Sequence, residues 1–531
     1  MSRGATKELL EEERTRFRTS LPAPDRSPAR NYGGRIAVVL SGGGARGAFE
    51  AGVLLAFQDA QLPTHILAAT SIGSINAASY AGHSQTLVGS AEHLVNSWFE
   101  VTPPAVGIFW TRYVFMLAGL IAATAGLGNL VRALSVDSGL YFHLVQPELT
   151  WLMLTLAGLA LLLLYDDFPY LFYVLANLAG RHAWKPQPRK IAWSLLANGV
   201  VWTSIWMFFA RTQLYVRGRE VLEVSPEAKA LAAAGALLGL VLWWFLRDPV
   251  STASHRALRL PLRSGLFPNF ERTRFLRGRI PAEQLRNSPI RVILTAADVE
   301  AGRDAYFSNT SLQALAADPG ADPAFVMNEI HETDDLLKVV LASSAFPFVY
   351  EAVEMQERSW VDGGIVANQP IRPALRLGAD LIFLVLVTPR SQEQVKVSTF
   401  LDVGVRAIDI LMSQNLKTDL KILENINHVC EHHARLLGCR PEQVLLDMGT
   451  RYYRYRKAFT VSPSEPLAAT VLDFHGRITG PAILQGYREG CQAVRDFTNY
   501  VAHLPAEGPK HVLKFSEIPA AVAQDSPAAR P

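Results

Sequence analysis

Three kinds of hydrophobic pattern follow one another along this chain. Between residues 35 and 100, short apolar runs alternate with segments of helical period. Ile36–Leu40 is continuously apolar, the pattern of a strand buried on both faces. Ala48–Asp59 reads as a helix. Ile66-Leu67-Ala68-Ala69 is a second short run leading into a turn at Ser71, and Ile75–Tyr80 opens another helix. Strand and helix alternating in this way predict a parallel sheet covered on both faces. The character changes at Pro103-Pro104 and reverts after Arg247. From there Arg291–Ala296, Ser359–Val361 and Ala379–Val387 read as strands, Leu337–Ala342 as a helix end, and 400–445 and 480–503 as helices. Residues 1–33 are polar with Pro22, Pro24 and Pro28, a short helix followed by a flexible lead-in. The last residues are rich in Pro and Ala. The organisation expected is a lead-in at 1–33, a first globular segment at 34–104, a different region at 105–260, a second globular segment at 261–505 and a flexible tail at 506–531.

The middle region holds four apolar runs, Tyr113–Leu130, Leu149–Tyr165, Ile191–Ala210 and Ala230–Leu246, without a Lys, Arg, Asp or Glu in any of them. A spanning helix takes about 20 mostly apolar residues, so the first three qualify and the fourth is borderline. Phe168–Gly180 follows two aspartates and contains Pro169, which fits an interfacial or re-entrant piece. Trp151, Trp193, Trp202, Trp206, Trp243 and Trp244 fall within the runs, several near their ends, where headgroups would lie. The expectation is an α-helical transmembrane insertion in a multi-pass membrane protein, with the two globular segments on the cytoplasmic side of an inner or plasma membrane. Arg181, Lys185, Arg189 and Lys190, with Arg247, Arg256, Arg259 and Arg263, obey the positive-inside rule for that topology. Arg211, Arg217, Arg219 and Lys229 oppose it. Helical hairpins dipping into one leaflet and a buried helical subdomain are the alternatives.

Composition agrees with a partly apolar environment. Of 531 residues 49% are hydrophobic and 19% charged, the latter below the roughly 25% of an average soluble protein. A net charge of +3 is too small to argue for nucleic acid, and none is expected as a partner. Cys430, Cys439 and Cys491 are sparse and odd in number, a poor disulfide framework. The charged N-terminus has no apolar core of a secretory signal.

Chemistry concentrates in three places. Directly after the first strand comes Ser41-Gly42-Gly43-Gly44-Ala45-Arg46-Gly47. Glycines let backbone N–H groups approach and converge on a ligand, as a developing oxyanion requires. The cluster fits neither the P-loop nor the dinucleotide fingerprint. Ala69-Thr70-Ser71-Ile72-Gly73 is a strand-to-helix turn with small residues at −2 and +2, the layout of a nucleophile elbow. Far downstream, Asp362-Gly363-Gly364 follows a short apolar strand; an acid there is often only a turn residue. His331, His432 and His433 are available for a triad, but none sits in a triad motif.

Taken in order, these stretches resemble the patatin-like phospholipase family, over about 35–103 and 262–390 and more weakly to about 500. Gly265-Leu266-Phe267 and Ala342-Ser343-Ser344-Ala345-Phe346-Pro347 support the likeness. The resemblance implies an α/β fold, a three-layer α/β/α sandwich with a mostly parallel central sheet, here interrupted by the apolar region. It implies a Ser–Asp dyad with Ser71 as nucleophile and Asp362 as base, and an oxyanion hole from the glycine loop spanning Gly42 to Gly47. It implies lipid ester substrates such as membrane phospholipids, and neither cofactor nor metal for the chemistry. Two features depart from the family's habit. Ala69 stands where the elbow usually has its first glycine, and the separation of Ser71 from Asp362 is long by roughly the length of the four apolar runs. The activity expected is a membrane-anchored serine lipid acyl hydrolase; the alternatives are an acyltransferase built on the same acyl-enzyme and a non-catalytic lipid-binding scaffold.

Overall fold

The strand runs pair as their patterning predicts. The computed structural model describes residues 3–22, 32–108, 111–135, 145–163, 265–388 except 268, 421–447 except 422, 452–504 and 511–514, with isolated positions between 191 and 199. The chain divides into two compact units, Met1–Gly107 with Ser264–Pro531, and Ile108–Arg263.

In the first unit a nine-stranded sheet is built around β1 (Ile36–Leu40) and β2 (Ile66–Thr70), both buried along their whole length. The other strands of the unit are β3 (Gly265–Phe267), β4 (Arg291–Asp298), β5 (Arg303–Ser308), β6 (Ile330–His331), β7 (Phe348–Tyr350), β8 (Val353–Met355), β9 (Arg358–Asp362), β10 (Leu381–Val385), β11 (Val444–Asp447), β12 (Tyr452–Arg454), β13 (Lys457–Val461) and β14 (His511–Lys514). The main order is β13-β10-β1-β2-β4-β5-β6. The five strands from β13 to β4 are mutually parallel; β5 turns back against β4, and β9 pairs antiparallel with β4 and β8. This is an α/β fold with a mostly parallel central sheet.

Helices cover both faces of that sheet. On one face α2 (Ala48–Asp59) and the long C-terminal α9 (Gly476–Ala502) bring Phe57 and Phe497 against Phe383 of β10. On the other, the alternate residues Ala37, Val39, Ile66, Ala68, Ile382 and Leu384 pack with Leu315, Phe325 and Ala374 from short helices. The strands carry apolar side chains on both faces because both are buried.

The first helix, α1 (Arg3–Ser20), is more than a lead-in. Arg14 is buried and forks onto Asp59 at the end of α2, with Nε and Nη2 each 3.0 Å from a carboxylate oxygen. Arg18, also on Asp59, Glu92, on α4 (Glu92–Glu100), and the Tyr487 hydroxyl join the cluster. At the other end, His511–Lys514 lies in the segment expected to be a loose tail, yet β14 pairs in parallel with β11. Val512 and Leu513 give that stretch enough strand character to add to a sheet edge, against the Pro and Ala around it.

In the second unit, α5 (Thr111–Ser135) and α6 (Val145–Leu163) form an antiparallel hairpin, Gly119 lying against Leu161, Ala123 against Gly158 and Gly126 against Thr155. A Cβ added at Gly158 would lie 2.2 Å from the Ala123 backbone nitrogen, so only glycine permits the approach. Small residues thus fill the seam, while Val114, Leu117, Leu120, Ile121 and Leu127 of α5 and Leu159 of α6 point outward and are exposed. Two of the four expected spans fall on these helices. Among the described residues, no helix is long and apolar enough to cross a membrane. In α6 the first turn holds Gln146, Pro147 and Glu148, which leaves only Leu149–Leu163 apolar, short of the about 20 residues a span needs. The Ile191–Ala210 run is described only at isolated positions; Ala230–Leu246 and Phe168–Gly180 lie outside the described residues.

Candidate active site

Sheet register brings the three sequence motifs together. Leu40 of β1 sits beside Ala69 of β2, so the glycine loop and the Ser71 turn leave neighbouring strands at the same edge. Thr70 pairs with Thr295 of β4, and the next residue of β4, Ala296, pairs with Asp362 at the end of β9. One ladder therefore carries Asp362 to Ser71 across 291 residues of sequence. The carboxyl edge of parallel strands is where ligands bind in open α/β sheets.

Ser71 Oγ donates to Asp362 Oδ2 at 2.5 Å. Ser71 caps α3 (Ile72–Gly82) with φ 53° and ψ −128°, a strained backbone for a residue with a Cβ. Strain of this kind persists when the neighbours over-determine it, and here they do. The Ser71 N–H donates to Ser343 Oγ at 3.0 Å, its carbonyl accepts from Ser74 N–H, and Gly73 is wedged against β1. A Cβ on Gly73 would sit 2.9 Å from Leu40 Cβ and from the carbonyl oxygens of Leu40 and Ser41. Ala69, by contrast, is accommodated: it is fully buried within β2, between Leu40 and Leu294.

Asp362 is completely buried. Its Oδ1 accepts from Gly364 N–H at 2.7 Å, and its own N–H donates to Ala345 O. Gly363 completes the turn, beneath Thr295 O. Burial pushes the carboxyl up to about 7, with the Ser71 hydroxyl, the Gly364 amide and the charge of Arg272 pulling the other way. A buried carboxyl tuned near neutrality matches what a general base needs.

The loop amides differ in their engagements. Gly42 N–H donates to the Asn368 carbonyl and side chain, Ala45 N–H to Val471 O, and Arg46 N–H to Gly43 O. The N–H groups of Gly43 and Gly44 have no partner among the described residues. Gly44 has φ +59°, and a Cβ there would lie 2.1 Å from Val471 O. Arg46 Nε reaches Ala469 O, and Gly47 O accepts from Asn76 Nδ2 at 2.9 Å. Asn76 also donates to Glu50 at 2.8 Å and accepts from the Trp98 indole. Burial pushes the Glu50 carboxyl well up, only partly offset by Asn76 and Ser41.

Gly42, Gly43, Gly44, Arg46 and Ser71 line one mainly apolar cavity of about 110 Å³. Its walls include Ile75, Leu94, Trp98, Phe275, Phe346 and Leu472. Among the described residues no histidine lines it. His331 packs beside Phe307 and Trp360, and His433 lies on a helical stretch near Cys430. The described residues contain no group of three His, Cys, Asp or Glu side chains able to hold a metal ion. Four contributors escaped the sequence reading: Arg272, Ser343, Asn368 and Trp98. Ser343 lies within the Ala342–Pro347 stretch, where it carried no role, and Asn368 lies four residues beyond the Asp362-Gly363-Gly364 turn. Arg272 and Trp98 had no local signal at all.

Residues 38–148 and 219–375, together half of the chain, match the family described as patatin-like phospholipase. The lysophospholipase nte1 of Aspergillus terreus is 48% identical over 54 residues, which make up 10% of this chain and 4% of that protein. VipD from Legionella pneumophila aligns with 87% of this chain and 67% of its own at 13% identity and a TM-score of 0.31, too low to support a structural inference. Both matched segments carry the motifs described above, the glycine loop and Ser71 in the first and Asp362 in the second, and the chain belongs to the patatin-like phospholipase family.

Proposed function

We propose that this protein is a serine lipid acyl hydrolase of the phospholipase A or lysophospholipase kind, working through a Ser71–Asp362 dyad. The observation that carries the reading is the 2.5 Å hydrogen bond from Ser71 Oγ to a buried carboxylate at the head of an apolar cavity. Asp362 accepts the hydroxyl proton as Oγ attacks the ester carbonyl. The tetrahedral oxyanion is held by the Gly43 and Gly44 amides, each worth about 3–4 kcal/mol by the measure of a comparable hydrolase. Collapse expels the alcohol or lysolipid, which leaves with the proton from Asp362. Water, deprotonated by Asp362, then attacks the acyl-Ser71 ester; collapse frees the fatty acid and Ser71 Oγ takes back the proton from Asp362. The apolar wall suits an acyl chain, because its burial removes chain surface from water.

A fluorophosphonate probe tests the dyad. Wild-type protein is expected to label, Ser71→Ala not at all, and Asp362→Asn at a rate at least about a hundredfold lower. Labelling that survives Ser71→Ala moves the nucleophile elsewhere.

The reading extends to location: residues 105–260 hold the catalytic domain at the cytoplasmic face of a membrane. Supporting it are the four uncharged apolar runs and the α5–α6 hairpin, with small residues in the seam and large apolar ones outside, the arrangement favoured where lipid is the solvent. Fractionation checks this part separately. A full-length chain that stays in the supernatant without detergent refutes the membrane attachment and leaves the hydrolase reading standing.

A further inference from the structure

Both members of the dyad lean on one short segment, Ser343-Ser344-Ala345, which leaves the end of α8 (Leu336–Ser343). Ser343 Oγ accepts from Ser71 N–H at 3.0 Å and donates to Thr295 O of β4. It also contacts Ser74 Oγ at 2.6 Å. Two residues on, Ala345 O accepts from Asp362 N–H at 2.9 Å. The separation of nucleophile and base is therefore set by where this segment sits.

A guanidinium holds the segment in place. Arg272 is on α7 (Asn269–Arg277) and is 3% exposed. Its Nη1 donates to Ser344 O, and its Nη2 to Leu341 O at 3.0 Å and to Asn269 Oδ1 at 2.6 Å. The Tyr350 ring lies 4.0 Å from its Cζ. The side chain lines the cavity that also contains Ser71. Among the described residues it forms no ion pair, and its Nε has no hydrogen-bond partner. A buried cation without a carboxylate against it is costly, and capping the last carbonyls of one short helix recovers only a fraction of that cost.

We propose that Arg272 is a positioning residue of the dyad: its guanidinium clamps the segment that spaces Ser71 from Asp362 and sets a buried positive charge on the wall of the cavity that Ser71 lines. The inference rests on the dyad reading. Asp362 feels the Arg272 charge, and Arg272 in turn feels Asp362, Tyr350 and Glu351. On the strands and on α8 the other charges packed around Asp362 are paired or exposed, whereas Glu271, the residue before Arg272 on α7, is itself buried. Asp298 on β4 is paired with Arg358 of β9, while Glu354 of β8 and Lys338 of α8 face solvent. On α7 the remaining charges are Glu271, Arg274 and Arg277, and α3 carries none.

The test is the pH dependence of fluorophosphonate labelling for wild type, Arg272→Gln, Arg272→Met and Arg272→Lys, with Asp362→Asn beside them. The neutral variants are expected to move the acid limb upward by about one pH unit, slowing labelling at neutral pH about fivefold and less at high pH. Arg272→Lys keeps the charge and loses the fork, so its limb stays near the wild-type pH with a lowered plateau. A neutral variant that folds and lowers the rate equally at every pH, with the limb unmoved, reduces Arg272 to a structural cap and overturns the proposal. If both neutral variants fail to fold, a limb in Arg272→Lys displaced from the wild type overturns it, and an undisplaced limb with a lowered plateau sustains it. Asp362→Asn labelling at the wild-type rate would be a different failure, that of the dyad itself.

Discussion

Asp362→Asn should make this protein inactive and, above neutral pH, more stable. The carboxyl is fully buried, and burial lifts its pKa from 3.8 to about 7. A group whose pKa is raised on folding binds its proton more tightly in the native than in the unfolded chain. Its stabilising contribution is complete below about pH 4 and is lost as pH rises through about 7. The shift is about three units at about 1.4 kcal/mol each, so ionised Asp362 costs the native state about 4 kcal/mol at alkaline pH. Asparagine has nearly the same shape. It keeps an acceptor for Gly364 N–H, turns its amide toward Ser71 Oγ and carries no charge to desolvate. Unfolding of the two proteins, followed by calorimetry at about pH 4, 6 and 8.5, should give similar stabilities at the lowest pH and a gap in favour of the variant that widens to about 4 kcal/mol at the highest. A gap that is constant with pH, or that narrows as pH rises, refutes the claim that the native fold holds this carboxyl against its ionisation.

Two further substitutions probe the supports of the site. Gly73→Ala places a methyl 2.9 Å from Leu40 and Ser41 backbone oxygens; overpacking of about 1–3 kcal/mol at the root of the glycine loop should cut labelling at least about tenfold while far-UV circular dichroism is retained, and full activity would contradict the elbow geometry. Arg14→Met removes the buried fork on Asp59 and leaves it the half-exposed Arg18 and the Tyr487 hydroxyl, so chemical denaturation should report a loss of about 1–3 kcal/mol, less than for a buried charge stripped of every partner; a loss below about 1 kcal/mol would mean that α1 is not anchored by this pair.

Asp362 is neither a free carboxylate nor a permanently neutral one, and the reason lies in what surrounds it. Two hydrogen-bond donors, the Ser71 hydroxyl and the Gly364 amide, stabilise its charge, while the buried interior opposes it. A base with a pKa near the working pH takes a proton from a serine and still releases it to a leaving alcohol. The same compromise makes the site a local weak point of the fold, in keeping with the usual conflict between stability and activity at catalytic positions.

Local chemistry was readable along the chain wherever one short stretch carried it. Continuous apolar runs marked β1, β2 and β10 as strands buried on both faces, and three glycines after a strand marked an anion-binding loop. Ser71 with Gly73 marked a tight strand-to-helix turn, and Asp362-Gly363-Gly364 an acid at a strand end. These features depend on nearest neighbours, so sequence order preserves them. What depended on pairing between distant segments was hidden. The 2.5 Å contact of Ser71 with Asp362 follows from the β2–β4–β9 register, and no pattern within either motif encodes that ladder. Arg272 reads as one more charge on a basic helix until folding buries it against Ser344 and Tyr350. Which loop amides stay unengaged was equally invisible, because Asn368 and Val471 reach Gly42 and Ala45 from hundreds of residues away. At the N-terminus the helix was legible but its anchoring through Arg14 was not, and at the other end β14 adds to a sheet where a flexible tail was expected. A side chain's type states what it is able to do, whereas its pKa, its partners and its distance to a second group belong to the packed molecule, since burial and contact are properties of the whole chain.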